Sequence, residues 1–174
     1  WVMDTRQFRS DQPCGDGTKA VPCATWGDPT ATMLGAQQEA WLVDGLGTSQ
    51  ARWQVLAQQI MFAPETSEPK PGDPVYMDVW SGYPKARDRL LTAIAERAPG
   101  RTVVLTGDIH SSYVQDVRRE VARAPGIQGG ALADAEAMLF VHHGQRQSGE
   151  SDIVLDQGEF RFAPTTGSYI AAAV

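Results

Sequence analysis

An aspartate and a histidine, with one residue between them, follow an apolar, strand-like segment of the chain. Residues 102–105 are β-branched or apolar, and Gly107 precedes Asp108 and His110. Such a run is typical of a strand buried on both faces in a sheet that helices cover. Because ligands of such sheets bind at the carboxyl ends of the strands, the carboxylate and the imidazole are placed where a cation could bind. The alternative is that Asp108 caps a turn and His110 is an ordinary loop histidine.

A second group of charged residues lies near the start of the chain. Residues 1–5 are predicted to form a short strand, which Arg6 and Arg9 follow. An arginine there could bind a phosphate group with two parallel hydrogen bonds, or hold a metal-ligating carboxylate in place. The alternative is a buried structural contact between Asp4 and Arg6, because alternation along a strand puts both side chains on one face.

The overall composition limits the classes of function. A chain of 174 residues, 42% of them hydrophobic, is long enough for one domain with a real core. The net charge of −6, without blocks of like charge, argues against nucleic acid as a partner. No apolar stretch approaches the roughly 18 residues that a membrane-spanning helix needs. The first residues, Trp-Val-Met-Asp, read as the middle of a strand, so we expect the chain to be part of a longer protein.

Two cysteines lie in the long loop 9–33, which is rich in glycine and proline. Cys14 and Cys23 could be joined in an oxidising compartment, and closing a loop of about ten residues would contribute roughly 3 kcal/mol. The alternative is two free thiols in a reduced protein. We favour the disulfide, because neither cysteine belongs to a CxxC pair or lies near a histidine.

The elements that must position these residues follow a helix–strand order. A helix is predicted over 35–46, and a second over 84–98, with Pro84 in its first turn. The period of residues 53–62 fits a buried strand or a short helix equally well. The second helix, a short loop and the strand at 102–105 together predict an α/β layer structure.

The chain changes character after Val117. Residues 118–137 have no clean hydrophobic period. Short strands are possible at 137–142, 152–155, 159–163 and 168–174. His142 and His143 follow the apolar run 138–141, and since neighbouring residues of a strand face opposite ways, at most one could join a metal site. We interpret both as surface or packing residues.

Five short motifs, in this order, resemble the alkaline phosphatase D family, a branch of the calcineurin-like metallophosphoesterases. Each motif is weak alone, but the order makes the resemblance specific, and it covers roughly residues 1–115. The motifs are DTRQFR at 4–9, LGAQQE at 34–39, AQQIMFA at 57–63, DVWSGY at 78–83 and TGDIHSS at 106–112.

This resemblance implies a fold and a domain boundary. Residues 1–117 would be the C-terminal part of a catalytic domain, an incomplete calcineurin-like β-sandwich flanked by helices, while 118–174 stay unassigned. The family's fold has a strand at 53–62 that normally ends in a metal-binding histidine, where this chain has Gln58 and Gln59. Either the ligand comes from elsewhere or an amide substitutes for it.

The resemblance also implies a function. The family hydrolyses phosphoric esters with water activated by metal ions, and its iron and calcium are the metals implied here. Asp108 and His110 would then form the last metal-ligand loop, with His110 a nitrogen ligand or a general acid. Arg6 and Asp4 would bind substrate or support the ligands. Small phosphate esters would be the substrates of a monomeric protein that is secreted, periplasmic or on the cell surface.

An alternative hypothesis is a catalytically inactive fragment or a secreted binding module. The Gly-Asp-x-x-Asp and Gly-Asn-His loops of the wider superfamily do not follow Asp108, so the earlier ligand loops would have to precede Trp1. Two ligands from one loop make a weak, open metal site. We therefore expect the chain by itself to be inactive.

Overall fold

The computed structural model describes residues 1–63 and 72–108 with their side chains, and four further strands by their backbone. Two helices and eight strands lie in these ranges. In chain order they are β1 Lys19–Ala20, α1 Ala36–Thr48, β2 Gln54–Ala57, β3 Val75–Tyr76, α2 Pro84–Arg97, β4 Thr102–Thr106, β5 Tyr113–Val117, β6 Ala137–Val141, β7 Asp152–Asp156 and β8 Glu159–Ala163. A 3₁₀ turn, Trp80–Gly82, precedes α2.

The main sheet has four strands in the order β2-β4-β6-β5. Strands β2, β4 and β6 run parallel, whereas β5 is antiparallel to β6. The predicted apolar strand, β4, lies inside the sheet, and its Val103 and Val104 are buried. Strand β6 belongs to the same sheet although it comes from beyond Val117, the boundary that the resemblance suggested.

Both predicted helices are present, with shifted ends. Helix α1 extends two residues further than expected, to Thr48, and buries Leu42 and Leu46. Trp41 of this helix is 48% exposed and packs edge-to-face on Trp1. Helix α2 begins at Pro84, which has no N–H to leave unpaired in a first turn. Neither helix is long and apolar enough to cross a membrane, and the described residues contain no other candidate.

The ambiguous segment 53–62 is a short strand followed by a buried irregular stretch. Regular pairing with β4 covers only Gln54–Ala57. Ile60 and Phe62 then enter the core, where the Phe62 ring packs edge-to-face on Trp80. Apolar residues continue past the end of the strand, which explains why the period alone could not separate a strand from a short helix.

The first residues extend the edge of the main sheet but do not form the five-residue strand that was predicted. An isolated parallel bridge joins Val2 to Ala57. The Ala57 N–H donates to the Trp1 carbonyl, and the Met3 N–H donates to the Ala57 carbonyl. The chain leaves the sheet at Asp4, where a turn begins.

The long loop 9–33 is fastened to the rest of the protein. It contains β1, which pairs antiparallel with β3, and the disulfide between Cys14 and Cys23. The Trp26 indole donates to the Ser81 carbonyl at 2.8 Å. The described strands of the C-terminal part include the antiparallel pair β7 and β8, and the strand predicted at 168–174 lies outside the described residues.

Candidate active site at the end of the central strand

Asp108 lies directly beyond the carboxyl end of β4, as the sequence predicted. Its φ is 69°, a left-handed conformation that a residue other than glycine adopts only when the surroundings hold it there. Its side chain is 57% exposed. His110 lies outside the described residues, so its sharing a cavity with Asp108 stays a prediction.

Arg6 connects Asp108 to a third segment of the chain. Its Nη2 lies 3.4 Å from Asp108 Oδ2, and its Nη1 donates to Asp78 Oδ2 at 2.8 Å. Asp78 precedes the 3₁₀ turn, so three segments that are far apart in the sequence meet at the guanidinium. The predicted substrate-binding or supporting residue Arg6 is therefore at the end of β4, beside the predicted ligand Asp108.

Asp78 holds two arginines at once. Its Oδ1 accepts from Arg9 Nη2 at 2.7 Å, and its backbone carbonyl accepts from Arg9 Nη1 at 3.1 Å. Partial burial of the carboxyl opposes ionisation, but the hydrogen bonds from Arg6 and Arg9 outweigh this effect and lower the pKa of Asp78. The carboxylate is thus ionised at neutral pH, and both of its oxygens are taken by guanidinium groups.

Asp4 has a different partner from the one expected. Its Oδ1 accepts the backbone N–H groups of Gln7 and Arg6, and these two hydrogen bonds lower the pKa of Asp4. A buried contact between the side chains of Asp4 and Arg6 is not found, because residues 4–7 form a turn in place of a strand. Gln38 fixes the Asp4 backbone by bonding to both its N–H and its carbonyl.

The two glutamines that replace the family's expected histidine both form hydrogen bonds within the chain. Gln58 is buried, donates to the Ile60 carbonyl at 2.5 Å and accepts from the Trp80 indole at 3.1 Å. Gln59 accepts from the N–H and hydroxyl of Thr5. Both amides hold the protein's own chain, so the observed contacts give no support to an amide that substitutes for a metal ligand.

A buried hydroxyl lies next to the site. Thr106 ends β4 and is 8% exposed, yet its Oγ1 has no hydrogen-bond partner in the described part of the chain. A buried hydroxyl without a hydrogen-bond partner costs free energy.

The donor set decides how a metal would fit. No three histidine, cysteine, aspartate or glutamate side chains cluster within the described ranges. Asp108 offers an exposed carboxylate and suits a calcium or iron ion as one oxygen ligand. Asp78 does not suit one, because arginines pair with both of its oxygens. His142 and His143 lie outside the described residues.

Sequence reasoning found Asp108 and Arg6 but did not assign a role to Asp78. The only signal was its place at the start of the DVWSGY motif. Nothing in the sequence pairs it with arginines that come about seventy residues earlier.

Comparison with known proteins shows the family of the chain. A family model described as PhoD-like phosphatase matches residues 1–137. Alkaline phosphatase D of Bacillus subtilis (strain 168) is 36% identical over 157 residues, which are 90% of this chain and 27% of that protein. A solved structure of PhoD, also 36% identical, superposes with a TM-score of 0.69 over 80% of this chain and 25% of that one. The chain thus spans about a quarter of the length of these relatives. It belongs to the PhoD-like phosphatase family.

Proposed function

We propose that this chain contributes part of the active site of a metal-dependent phosphoric ester hydrolase. Membership of the PhoD-like family supports phosphoesterase activity in general. The observation that carries the site is the meeting of Asp108 and Arg6, 3.4 Å apart, at the carboxyl end of β4. A carboxylate for a cation and a guanidinium for a phosphoryl group are thereby placed side by side.

Each of the proposed site residues has a chemical role. The Arg6 guanidinium would orient the phosphoryl group through a charge-assisted hydrogen bond from Nη2, since Asp78 already takes Nη1. Asp108 would hold the metal centre with an oxygen ligand, and His110 would be a second ligand or donate a proton to the leaving group. A bound metal centre of this class stabilises charge on the phosphoryl oxygens and lowers the pKa of water. By analogy with the family, we propose iron and calcium.

We propose small phosphate monoesters and diesters as substrates. The net charge of −6 argues against nucleic acid, and a small phosphate ester would be held by local arginines. The disulfide between Cys14 and Cys23 supports a secreted, periplasmic or cell-surface location, where such bonds persist. We propose a monomer that contains a calcineurin-like β-sandwich, of which the β2-β4-β6-β5 sheet would be one layer.

Two substitutions in the full-length protein test the site. Asp108→Asn keeps the shape of the side chain and removes its charge, and His110→Ala removes the imidazole. Each should reduce turnover of an aryl phosphate by about 100-fold or more, the scale expected when a positioned charge or acid–base group is lost. Asp44→Asn, on the exposed face of α1, is the control and should keep wild-type turnover. Full activity of both Asp108→Asn and His110→Ala would reject the site.

A second candidate function is a binding module without catalysis. The absence of a cluster of three metal-ligand side chains among the described residues favours it. The two functions differ in what the full-length protein does, because a binding module would retain phosphate esters without hydrolysing them.

A further inference from the structure

The four charged groups at the end of β4 form one continuous chain in the order Arg9, Asp78, Arg6 and Asp108. Their side chains become more exposed along it, from 20% at Arg9 through 37% and 41% to 57% at Asp108. The chain of charges is therefore anchored at the Arg9 end and open to solvent at the Asp108 end. Its short contacts of 2.7 and 2.8 Å are at Asp78, and the long contact of 3.4 Å is at Asp108.

Asp78 stands on a rigid support. The 3₁₀ turn that follows it buries Trp80, whose indole is bonded to Gln58. Gly82 of the same turn lies so close to Met77 that an added Cβ would be 2.0 Å from the Met77 carbonyl oxygen. Asp78 is adjacent to Met77, so the backbone that carries the carboxylate is packed on both sides of it.

Arg6 needs such a support. Its side chain is long and 41% exposed, and in the described part of the chain its guanidinium contacts only carboxylates. The Arg6 Nη1 donates to Asp78, and the Nη2 side of the guanidinium therefore faces Asp108. The long contact at Nη2 is the one that a phosphoryl oxygen could replace without breaking the short one.

The negative charge of Asp78 also keeps Arg6 in place. Arg6 and Arg9 approach the same carboxylate, and without its negative charge their guanidinium groups would repel each other across a partly buried space. An amide at position 78 could accept from one arginine only, and its NH₂ would face the other.

We infer that Asp78 is a positioning residue for the reaction. It sets the orientation of the Arg6 guanidinium toward Asp108 and the phosphoryl group, with Arg9 holding its other oxygen. The inference deepens the proposed function and rests on it. Asp78 itself contacts neither metal nor substrate.

A double-mutant cycle in the full-length protein, loaded with its metals, tests the inference. The four proteins are the wild type, Asp78→Asn, Arg6→Gln and the double variant, with Asp44→Asn as the surface control. Asp78→Asn should reduce kcat/KM for an aryl phosphate by about 10-fold and weaken competitive inhibition by inorganic phosphate to a similar extent. In the Arg6→Gln background the same change should cost less than about 2-fold, because its target is already gone.

Asp78→Glu is the second variant, since it keeps the charge and moves it outward by one methylene. It should recover part of the loss in kcat/KM. Equal losses from Asp78→Asn in both backgrounds would mean a structural role and would overturn the inference, as would unchanged kcat/KM and phosphate inhibition in Asp78→Asn. Failure of the proposed function would be seen separately, as wild-type turnover in both Asp108→Asn and His110→Ala.

Discussion

The site depends on residues whose partners are remote in the sequence. Arg6 contacts carboxylates 72 and 102 positions further along the chain, and the two contacts fix where its guanidinium lies. Asp108 is held in a left-handed backbone conformation at the end of β4. Such a conformation is uncommon outside glycine, and aspartate is one of the residues that adopt it most readily.

Two buried threonines of β4 give a matched test of what a hydroxyl contributes to stability with and without a hydrogen-bond partner. Thr102 donates its hydroxyl to the Ala98 carbonyl at 3.1 Å, whereas the Thr106 hydroxyl has no partner among the described residues. Thr102→Val should lose about 1 kcal/mol of unfolding free energy, but Thr106→Val should be neutral or stabilising. Thermal or urea unfolding measures both, and a loss of more than about 1 kcal/mol in Thr106→Val would show that its hydroxyl is satisfied.

The pKa of Asp78 predicts a pH dependence of stability. Partial burial opposes its ionisation, but the hydrogen bonds from Arg6 and Arg9 prevail, so the pKa of the folded state is below that of the unfolded state. Its contribution is therefore fully present above an unfolded pKa of about 4, and is lost as the pH falls through the folded value. The stability difference between wild type and Asp78→Asn should be largest near neutral pH and shrink below about pH 4. Thermal unfolding from pH 7 to pH 3 measures it, and a difference that stays constant would contradict the ion-pair network.

At the level of elements, the loop 9–33 is held beside the site by strand pairing and hydrogen bonds. Its strand β1 pairs with β3, close in the chain to Asp78, and Arg89 of α2 donates to the carbonyls of Pro29 and Ala31. The Glu39 carboxylate accepts from the same arginine at 2.7 Å. The loop that sequence analysis read as long and irregular is thus tied to both helices and to the segment that carries Asp78.

Reduction of the disulfide should destabilise the loop 9–33. A double substitution, Cys14→Ser with Cys23→Ser, should lower the unfolding free energy by up to about 3 kcal/mol, the value for closing a loop of this length. Added reductant should lower the melting temperature of the wild type and leave that of the double variant unchanged. Two reactive thiols in native, oxidised material would contradict the pairing.

At the level of the whole molecule, the described sheet is a mixed layer covered by helices that pack on each other. The chain spans about a quarter of the length of its relatives, and the proposed metal ligand among the described residues is the Asp108 carboxylate at the end of β4. A phosphoesterase centre with two metals needs several more ligands than this. The remaining ligands would have to come from outside the described residues.

This arrangement predicts the behaviour of the isolated 174-residue chain. It should not hydrolyse an aryl phosphate above background with any added metal, and it should not bind zinc or iron tightly and stoichiometrically, because one ligand loop makes a weak site. Metal titration by calorimetry and a steady-state assay measure the two expectations. Robust hydrolysis by the chain alone would show that the active site is misplaced.

The sequence by itself determined the two helices, the buried strand β4 and the place of Asp108 at its end. These follow from local signals: apolar periods, a proline in a first turn, and a glycine after a β-branched run. The ordered motifs also identified the family, which the match over residues 1–137 confirms.

Only the tertiary structure decided the partners. In the structure the Asp4 carboxylate accepts a backbone N–H of its own turn, and the Asp78 carboxylate pairs with two arginines. The amides of Gln58 and Gln59 donate to backbone carbonyls. Composition and period carry no information about such pairings, since a charged residue looks the same in a sequence whether it meets a cation, a metal or water. They depend on which loops the sheet brings together, and that is fixed by contacts between segments far apart in the chain.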